Sequence, residues 1–375
     1  MGSSHVIQLS SDSDAERGTG MPNDSVLIVG GGPAGLEAAR GVADLGKKAI
    51  LVEARDELGG TPYASSYATL TPDLRDTEEE MAGLLGDVRK HPLVDVRLGT
   101  RVVKSEGRAG EFRVTLTGGD GAQVEEEVGA VIIATGFQHF DPGRETQMYG
   151  YYEYDDVITL VDAEKMMKKG KIVRPSTGEP PERVAFIQCV GSRDRQIGNK
   201  YCSKVCCGIA SKQSIEIKRM LPNAKVFIFY IDMRMYGFWE DQIYWKAQEE
   251  YKVNYVRGIV TEIIRKGDRL LVKGEDTTMG RPVEVLMDMV ILSVGMEPSR
   301  GTIEMSRIFN IPREDHGFLA TQGGPLDTVS TPVPGIFVAG AAAGPKDLED
   351  SISMGGAAAM KAVALLNRLQ RVSVG

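Results

Sequence analysis

Two groups of residues in this sequence are suited to chemistry by type and spacing. Cys189, Cys202, Cys206 and Cys207 follow the spacing C-x12-C-x3-C-C, and the chain has no other cysteine. Four thiolates are the ligand set of a [4Fe-4S] cluster or of zinc. Structural zinc usually shows two C-x2-C pairs and a redox disulfide shows C-x-x-C; neither spacing occurs here, although the adjacent Cys206-Cys207 leaves a vicinal disulfide open. Cluster ligation, dithiol chemistry, zinc binding and inert buried thiols are the readings to separate, and the inert one must explain why all four gather in one short segment. The second group is Gly30-Gly31-Gly32-Pro33-Ala34-Gly35, which fits G-x-G-x-x-G, with Glu53 23 residues beyond Gly30. In that motif the first glycine permits a tight turn, the second lets a pyrophosphate approach the backbone, and the third lets helix and strand touch. A helix N-terminus then faces the anion, and the acidic residue accepts hydrogen bonds from a ribose.

These groups need elements to hold them. Apolar runs at 25–29 and 49–53 flank a small-residue helical pattern at 34–45, a β-α-β order that reads as a parallel, helix-covered sheet. Alternating segments at 101–103, 112–116 and 122–126, separated by glycine-rich turns, predict an antiparallel meander, and 128–135 a buried strand. The Lys-, Pro- and Gly-rich stretch 168–182 suits a linker. A second unit follows, with strands at 184–187 and 226–230 around a helix at 206–221, then a hairpin pairing 259–265 with 269–273. The run at 289–295 is read as the first domain resuming, to close with 335–340 and a helix over 351–371. The expected organisation is a flexible leader at 1–23, a dinucleotide-binding domain at 24–160 and 285–375, and an inserted, second Rossmann-like domain at 161–284 that carries the cysteines. Within that leader, residues 1–20 read as an expression leader ahead of Met21.

The run Val128 to Gly136, ending Ala134-Thr135-Gly136, resembles the strand-ATG segment of two-dinucleotide-domain flavoproteins, and 331–340 resembles their closing segment. Ala341 departs from that pattern, which usually has aspartate there for the ribityl chain; backbone groups or Asp347 are the available replacements. Cys189 stands where the second dinucleotide domain should carry its own glycine loop, and Gln188-Cys189-Val190-Gly191-Ser192-Arg193 does not fit G-x-G-x-x-G. A metal centre in place of a second nucleotide is the reading that follows. Phe186 to Asp194, Tyr201-Cys202-Ser203-Lys204-Val205-Cys206-Cys207 and Gly344-Pro345-Lys346-Asp347 together resemble the A-type subunit of heterodisulfide reductase, over most of 24–370.

That resemblance implies an α/β fold in which a Rossmann-like FAD domain is split by a second dinucleotide-binding-like domain. It implies an oxidoreductase with FAD and a [4Fe-4S] cluster on Cys189, Cys202, Cys206 and Cys207. FAD contacts are implied at Gly30, Gly32, Pro33, Ala34, Gly35, Glu53, Ala54, Gly60, Thr61, Val102, Ala134, Thr135, Gly136, Gly340, Ala341, Lys346, Asp347 and Ser351. Lys346 is also implied as the catalytic group, its ammonium stabilising a reduced, anionic flavin. Four cysteines cannot supply the ferredoxin modules of the methanogen forms. The chain therefore resembles the short forms of the heterodisulfide-reductase-like complex of sulfur oxidisers, and also those of membrane-bound quinone-interacting complexes of sulfate reducers, with B- and C-type subunits as partners. Bifurcation by this chain alone is not expected. A stand-alone pyridine-nucleotide:disulfide oxidoreductase and a structural subunit with vestigial cofactor sites are the alternative readings.

Composition narrows the rest. A net charge of −8 without a basic stripe argues against nucleic acid. No stretch approaches the roughly 18 uninterrupted apolar residues of a membrane span, and a cytoplasmic location is expected. The 44 glycines in 375 residues imply many left-handed turns or close approaches of backbone to ligand. His5, His91, His139 and His316 are scattered and read as structural. The aromatics of 149–154 and 236–251 read as core packing, or as a homodimer or partner surface.

Overall fold

The computed structural model describes residues 22–144 and 149–374. Strands Ser25–Val29, Lys48–Val52, Val94–Arg97, Ala130–Ile133 and Ile336–Val338 form a parallel sheet with Ser25–Val29 at its centre, between Ala130–Ile133 and Lys48–Val52. Every residue of Ser25–Val29 is buried, because both faces are covered. On one face lie helices Pro33–Asp44 and Leu348–Val374, whose small residues let them approach closely: a Cβ on Gly41 would stand 3.0 Å from that of Ala359. The other face carries the predicted meander, Arg101–Glu106, Phe112–Thr117 and Gln123–Val128, with helix Arg300–Ile308.

The second sheet is also parallel and runs Val157–Thr159, Met289–Val294, Arg183–Val190, Lys225–Tyr230, Asn254–Arg257. This corrects the expected boundaries. Met289–Val294 does not belong to the first domain resuming: it pairs with Arg183–Val190 in the middle of the second sheet, and Val157–Thr159 lies beside it. An apolar run suits a buried parallel strand in either sheet, so composition does not say which sheet takes it. The stretch 168–182 is not an interdomain linker either. Arg174 and Ser176 fold back on the buried carboxylate of Asp156, Arg174 Nη2 at 2.9 Å and Ser176 Oγ at 2.7 Å. The chain instead crosses between the bodies at an antiparallel ribbon, Phe137–His139 with Met296–Pro298. The predicted hairpin is present as Val260–Lys266 with Arg269–Asp276, extended by Arg281–Met287.

Of the leader, residues 1–21 lie outside the described residues; Asn23 already belongs to the fold, its N–H donating to Gly110 O at 2.8 Å.

Candidate functional site

The first strand ends at Gly30, whose φ of +112° and N–H bond to Val52 O turn the chain sharply into helix Pro33–Asp44. A Cβ on Gly30 would lie 2.4 Å from Ala134 O, and one on Gly35 would lie 1.8 Å from Gly30 O. The helix has no side-chain cap and no acidic residue in its first turn, which leaves its N-terminal amides and dipole for an anion. Gly60 begins a short helix pressed against this loop, where its Cβ would meet Gly32 Cα at 2.5 Å. Glu53 is buried at the end of the second strand. Its Oε2 accepts the Gly31 N–H at 2.7 Å and its Oε1 the Arg55 N–H at 3.0 Å, so it braces the glycine loop as well as facing the cavity.

A cavity of about 590 Å³ opens over this loop and reaches into the second body. Its wall includes Gly30, Gly32, Pro33, Ala34, Glu53, Ala54, Gly60, Thr61, Val102, Ala134, Thr135, Gly136, Ala341, Lys346, Asp347 and Ser351. Gly35 and Gly340 are the two expected contacts that do not line it. Both lie beneath the wall and set how closely its elements approach; a Cβ on Gly340 would stand 2.8 Å from that of Ala34. Lys346 has no hydrogen-bond or ion-pair partner among the described residues, which leaves its ammonium for whatever occupies the cavity. Asp347 is already committed: Oδ1 accepts the Asp350 N–H at 2.7 Å and Oδ2 the Tyr236 hydroxyl at 2.5 Å. This argues against the simple substitution of Asp347 for the missing aspartate at 341.

From the second body the wall takes Leu160, Glu164, Cys206, Ile209, Lys212 and Trp239. Nothing in the sequence singles out Glu164 or Lys212. Lys212 is 3% exposed and donates to Glu164 Oε1 at 2.5 Å and to Thr69 O at 2.8 Å, with Glu216 Oε2 at 3.7 Å. Gln213 Nε2 also donates to Glu164 Oε1, at 2.8 Å. Burial pushes the Glu216 carboxyl up. Ser211, Lys212, Gln213, Ser214 and Glu216 are all buried on helix Cys206–Met220, so the amphipathic pattern that marks a core face fails here. Trp239 lies against Gly208, where a Cβ would come 2.4 Å from the indole, and stacks on Tyr236 with centroids 5.7 Å apart. Its neighbour Phe238 is 78% exposed, so this aromatic segment serves both packing and surface. His139 also faces the cavity, with Tyr67 Oη 3.4 Å from its Nε2, and burial lowers its pKa to about 4, so it is neutral near pH 7.

The four cysteines sit between strand Arg183–Val190 and helix Cys206–Met220, and Cys206 is the one that lines the cavity. Cys189 has φ +64°, beside a register shift in its strand. The Cys206 thiol contacts both Cys189 and Cys207. Hydrogen bonding with Cys206 holds those two thiols below the ordinary range, Cys207 at about 7, while the same bonds and burial raise Cys206. Cys202 stands apart, its Sγ accepting the Lys204 N–H at 3.3 Å. Among the described residues no three His, Cys, Asp or Glu side chains are arranged to hold a metal ion. The donor chemistry suits a soft metal centre, with Cys206 in contact with two of the other three thiols.

Residues 22–185 match the family model of pyridine nucleotide-disulphide oxidoreductases. The second A-type iron-sulfur subunit of the CoB–CoM heterodisulfide reductase of Methanopyrus kandleri is 33% identical, covering 92% of this chain and 64% of that protein. The A-type subunit of the ferredoxin:CoB-CoM heterodisulfide reductase of Methanosarcina mazei is 32% identical, covering 91% of this chain and 53% of that protein. The chain is similar over about nine tenths of its length to A-type subunits of heterodisulfide reductase. It spans less than two thirds of the length of these two relatives. The first alignment runs over 425 positions, more than the 375 residues of this chain, so the Methanopyrus kandleri protein carries internal segments absent here.

Among solved structures, the thioredoxin reductase of T. acidophilum superposes with a TM-score of 0.60 at 19% identity, covering 94% of this chain and all of that one. The Lactococcus lactis enzyme gives 0.62 at 18%, covering 92% and all of it. At such identities the likeness shows the fold, and it is the expected one: a Rossmann-like domain interrupted by a second of similar kind. The matched family and the heterodisulfide reductase relatives are oxidoreductases, in line with the class expected from the sequence. No described helix is long and apolar enough to cross a membrane.

Proposed function

We propose that this chain is an FAD-dependent electron-transfer subunit of a heterodisulfide-reductase-like complex in cytoplasmic sulfur oxidation. It passes electrons between the flavin and one [4Fe-4S] cluster on Cys189, Cys202, Cys206 and Cys207. It works as a homodimer with B- and C-type partner subunits. One observation carries this reading: a single cavity has the glycine loop in one part of its wall and Cys206, at the head of the cysteine helix, in another. The name of the Methanopyrus kandleri relative, which makes it an iron-sulfur protein, supports the metal assignment.

The cradle fits a dinucleotide, since the backbone approach at Gly30 and Gly32 is one that side chains would obstruct. Gly30, Gly32, Pro33 and Ala34, with the helix dipole, hold the pyrophosphate. Glu53, Ala54 and Val102 take the adenosine end, and Gly60, Thr61, Ala134, Thr135, Gly136, Ala341, Lys346 and Ser351 surround the rest, with Gly35 and Gly340 setting the wall from beneath. When bound, FAD supplies the exchange between two-electron and one-electron chemistry. Lys346, on the cavity wall and without a partner among the described residues, offers positive charge where negative charge gathers, which is worth most in a site that excludes water. His139, neutral near pH 7, and the neighbouring Tyr67 add no charge to the wall beside them.

Anaerobic reconstitution with iron, sulfide and FAD tests the reading. One FAD and about four irons per chain are expected. Cys206→Ser should lose the iron and keep the flavin. Zinc in place of iron, or four thiols titrating freely in the reconstituted protein, would overturn the cluster assignment.

A further inference from the structure

Three segments distant in sequence meet at the Asp347 carboxylate, which is 6% exposed. Oδ1 caps helix Leu348–Val374 through the Asp350 N–H at 2.7 Å. Oδ2 accepts the Tyr236 hydroxyl at 2.5 Å and faces Lys204 Nζ at 3.0 Å. Lys204 belongs to the cysteine segment: it lies between Cys202 and Cys206, and its N–H donates to Cys202 Sγ at 3.3 Å. Its ammonium also pairs with Asp350 and stands 5.3 Å from the centre of the Tyr236 ring. Tyr236 in turn stacks on Trp239 of the cavity wall.

Lys204 has φ +67°, a conformation that non-glycine residues keep only where their surroundings fix it. The bonds described above fix it, and they join the cysteine segment to the loop Gly344-Pro345-Lys346-Asp347. Lys346 and Asp347 of that loop line the cavity. A shift of the Lys204 backbone thus reaches the cavity wall through one buried carboxylate.

We propose that Lys204 is a positioning residue for the dinucleotide: through Asp347 it holds the 344–347 loop in the place that receives FAD. FAD affinity then depends on the conformation of the cysteine segment. By reciprocity, whatever orders that segment strengthens FAD binding by the factor that FAD strengthens it in return. The proposal rests on the FAD reading given under Proposed function.

FAD affinity of the full chain, freed of flavin and metal and followed by quenching of flavin fluorescence, tests it. Lys204→Met should weaken FAD binding about tenfold to a hundredfold, the range for one charge-assisted hydrogen bond. Lys204→Arg should restore most of the loss, and Tyr236→Phe should weaken binding by a smaller factor. Lys361→Met, which removes an exposed ion pair with Asp327, should bind as the wild type does. Equal FAD affinity in wild type, Lys204→Met and Tyr236→Phe overturns this proposal alone, and Tyr236→Phe decides it should Lys204→Met not fold. A wild-type chain with no affinity for FAD overturns the functional reading and this proposal with it.

Discussion

Gly35→Ala is expected to abolish FAD binding and to destabilise the first domain by about 2–3 kcal/mol or more, at the upper end of what overpacking costs. The new methyl would stand 1.8 Å from Gly30 O and 3.0 Å from Gly30 C. Neither atom can turn away as a side chain would, since both are backbone at the end of the central strand. Relief requires helix Pro33–Asp44 to slide off the sheet. That movement breaks the close packing of this helix on Leu348–Val374 and carries the helix N-terminus away from the glycine loop. Gly86→Ala is the matching control, because nothing lies within 4 Å of its Cβ position in helix Thr77–Lys90. It should leave FAD binding alone and stabilise by about 0.5–1 kcal/mol through helix propensity. Urea unfolding and flavin titration of both variants check the pair of outcomes.

The second large effect is expected at Lys212. This ammonium is the charge that offsets two buried carboxylates, Glu164 at 2.5 Å and Glu216 at 3.7 Å. Removing one partner of a buried ion pair typically costs about 3–5 kcal/mol, because the remaining charge is left uncompensated. Lys212→Met keeps much of the volume and removes the charge, so the loss falls in that range near pH 7. Its pH dependence has a definite sign. Without the cation, the burial that already raises the Glu216 carboxyl above its unfolded value is no longer opposed by Lys212. Folded stability is then fully present below the unfolded carboxyl pKa, near 4.3, and is lost as pH rises through the raised folded values. The deficit against wild type should therefore shrink as pH falls towards 4.5 and grow towards 8. Glu164→Gln added to Lys212→Met should recover part of it. A deficit that stays constant over this range would show that packing, and not charge, sets the cost.

What could be read in the sequence was local. The glycine loop, Glu53 and the two βα turns are each set within about 30 residues, and the turn residues there have few other uses. The meander was legible because alternation marks a half-buried strand. Met289–Val294 was not assignable, since five apolar residues and a serine carry no record of which sheet they join. Lys212 and Glu164 lie 48 positions apart on two helices, and nothing in either neighbourhood announces a pair. Lys204 and Asp347 are separated by more than 140 positions, and their meeting depends on the crossing at Phe137–His139 and Met296–Pro298 that brings the two bodies together.

The central claim is that the dinucleotide and the cysteine centre share one cavity and exchange electrons within this chain. Photoreduction of the flavin in the reconstituted chain, with no partner protein present, tests it directly. Loss of the flavin absorbance should be followed, within the same chain, by reduction of the iron-sulfur chromophore, and Cys206→Ser should leave the flavin reduced with nothing to pass its electrons to. A flavin that stays reduced in the wild type while an intact, reducible cluster stays oxidised would contradict the account.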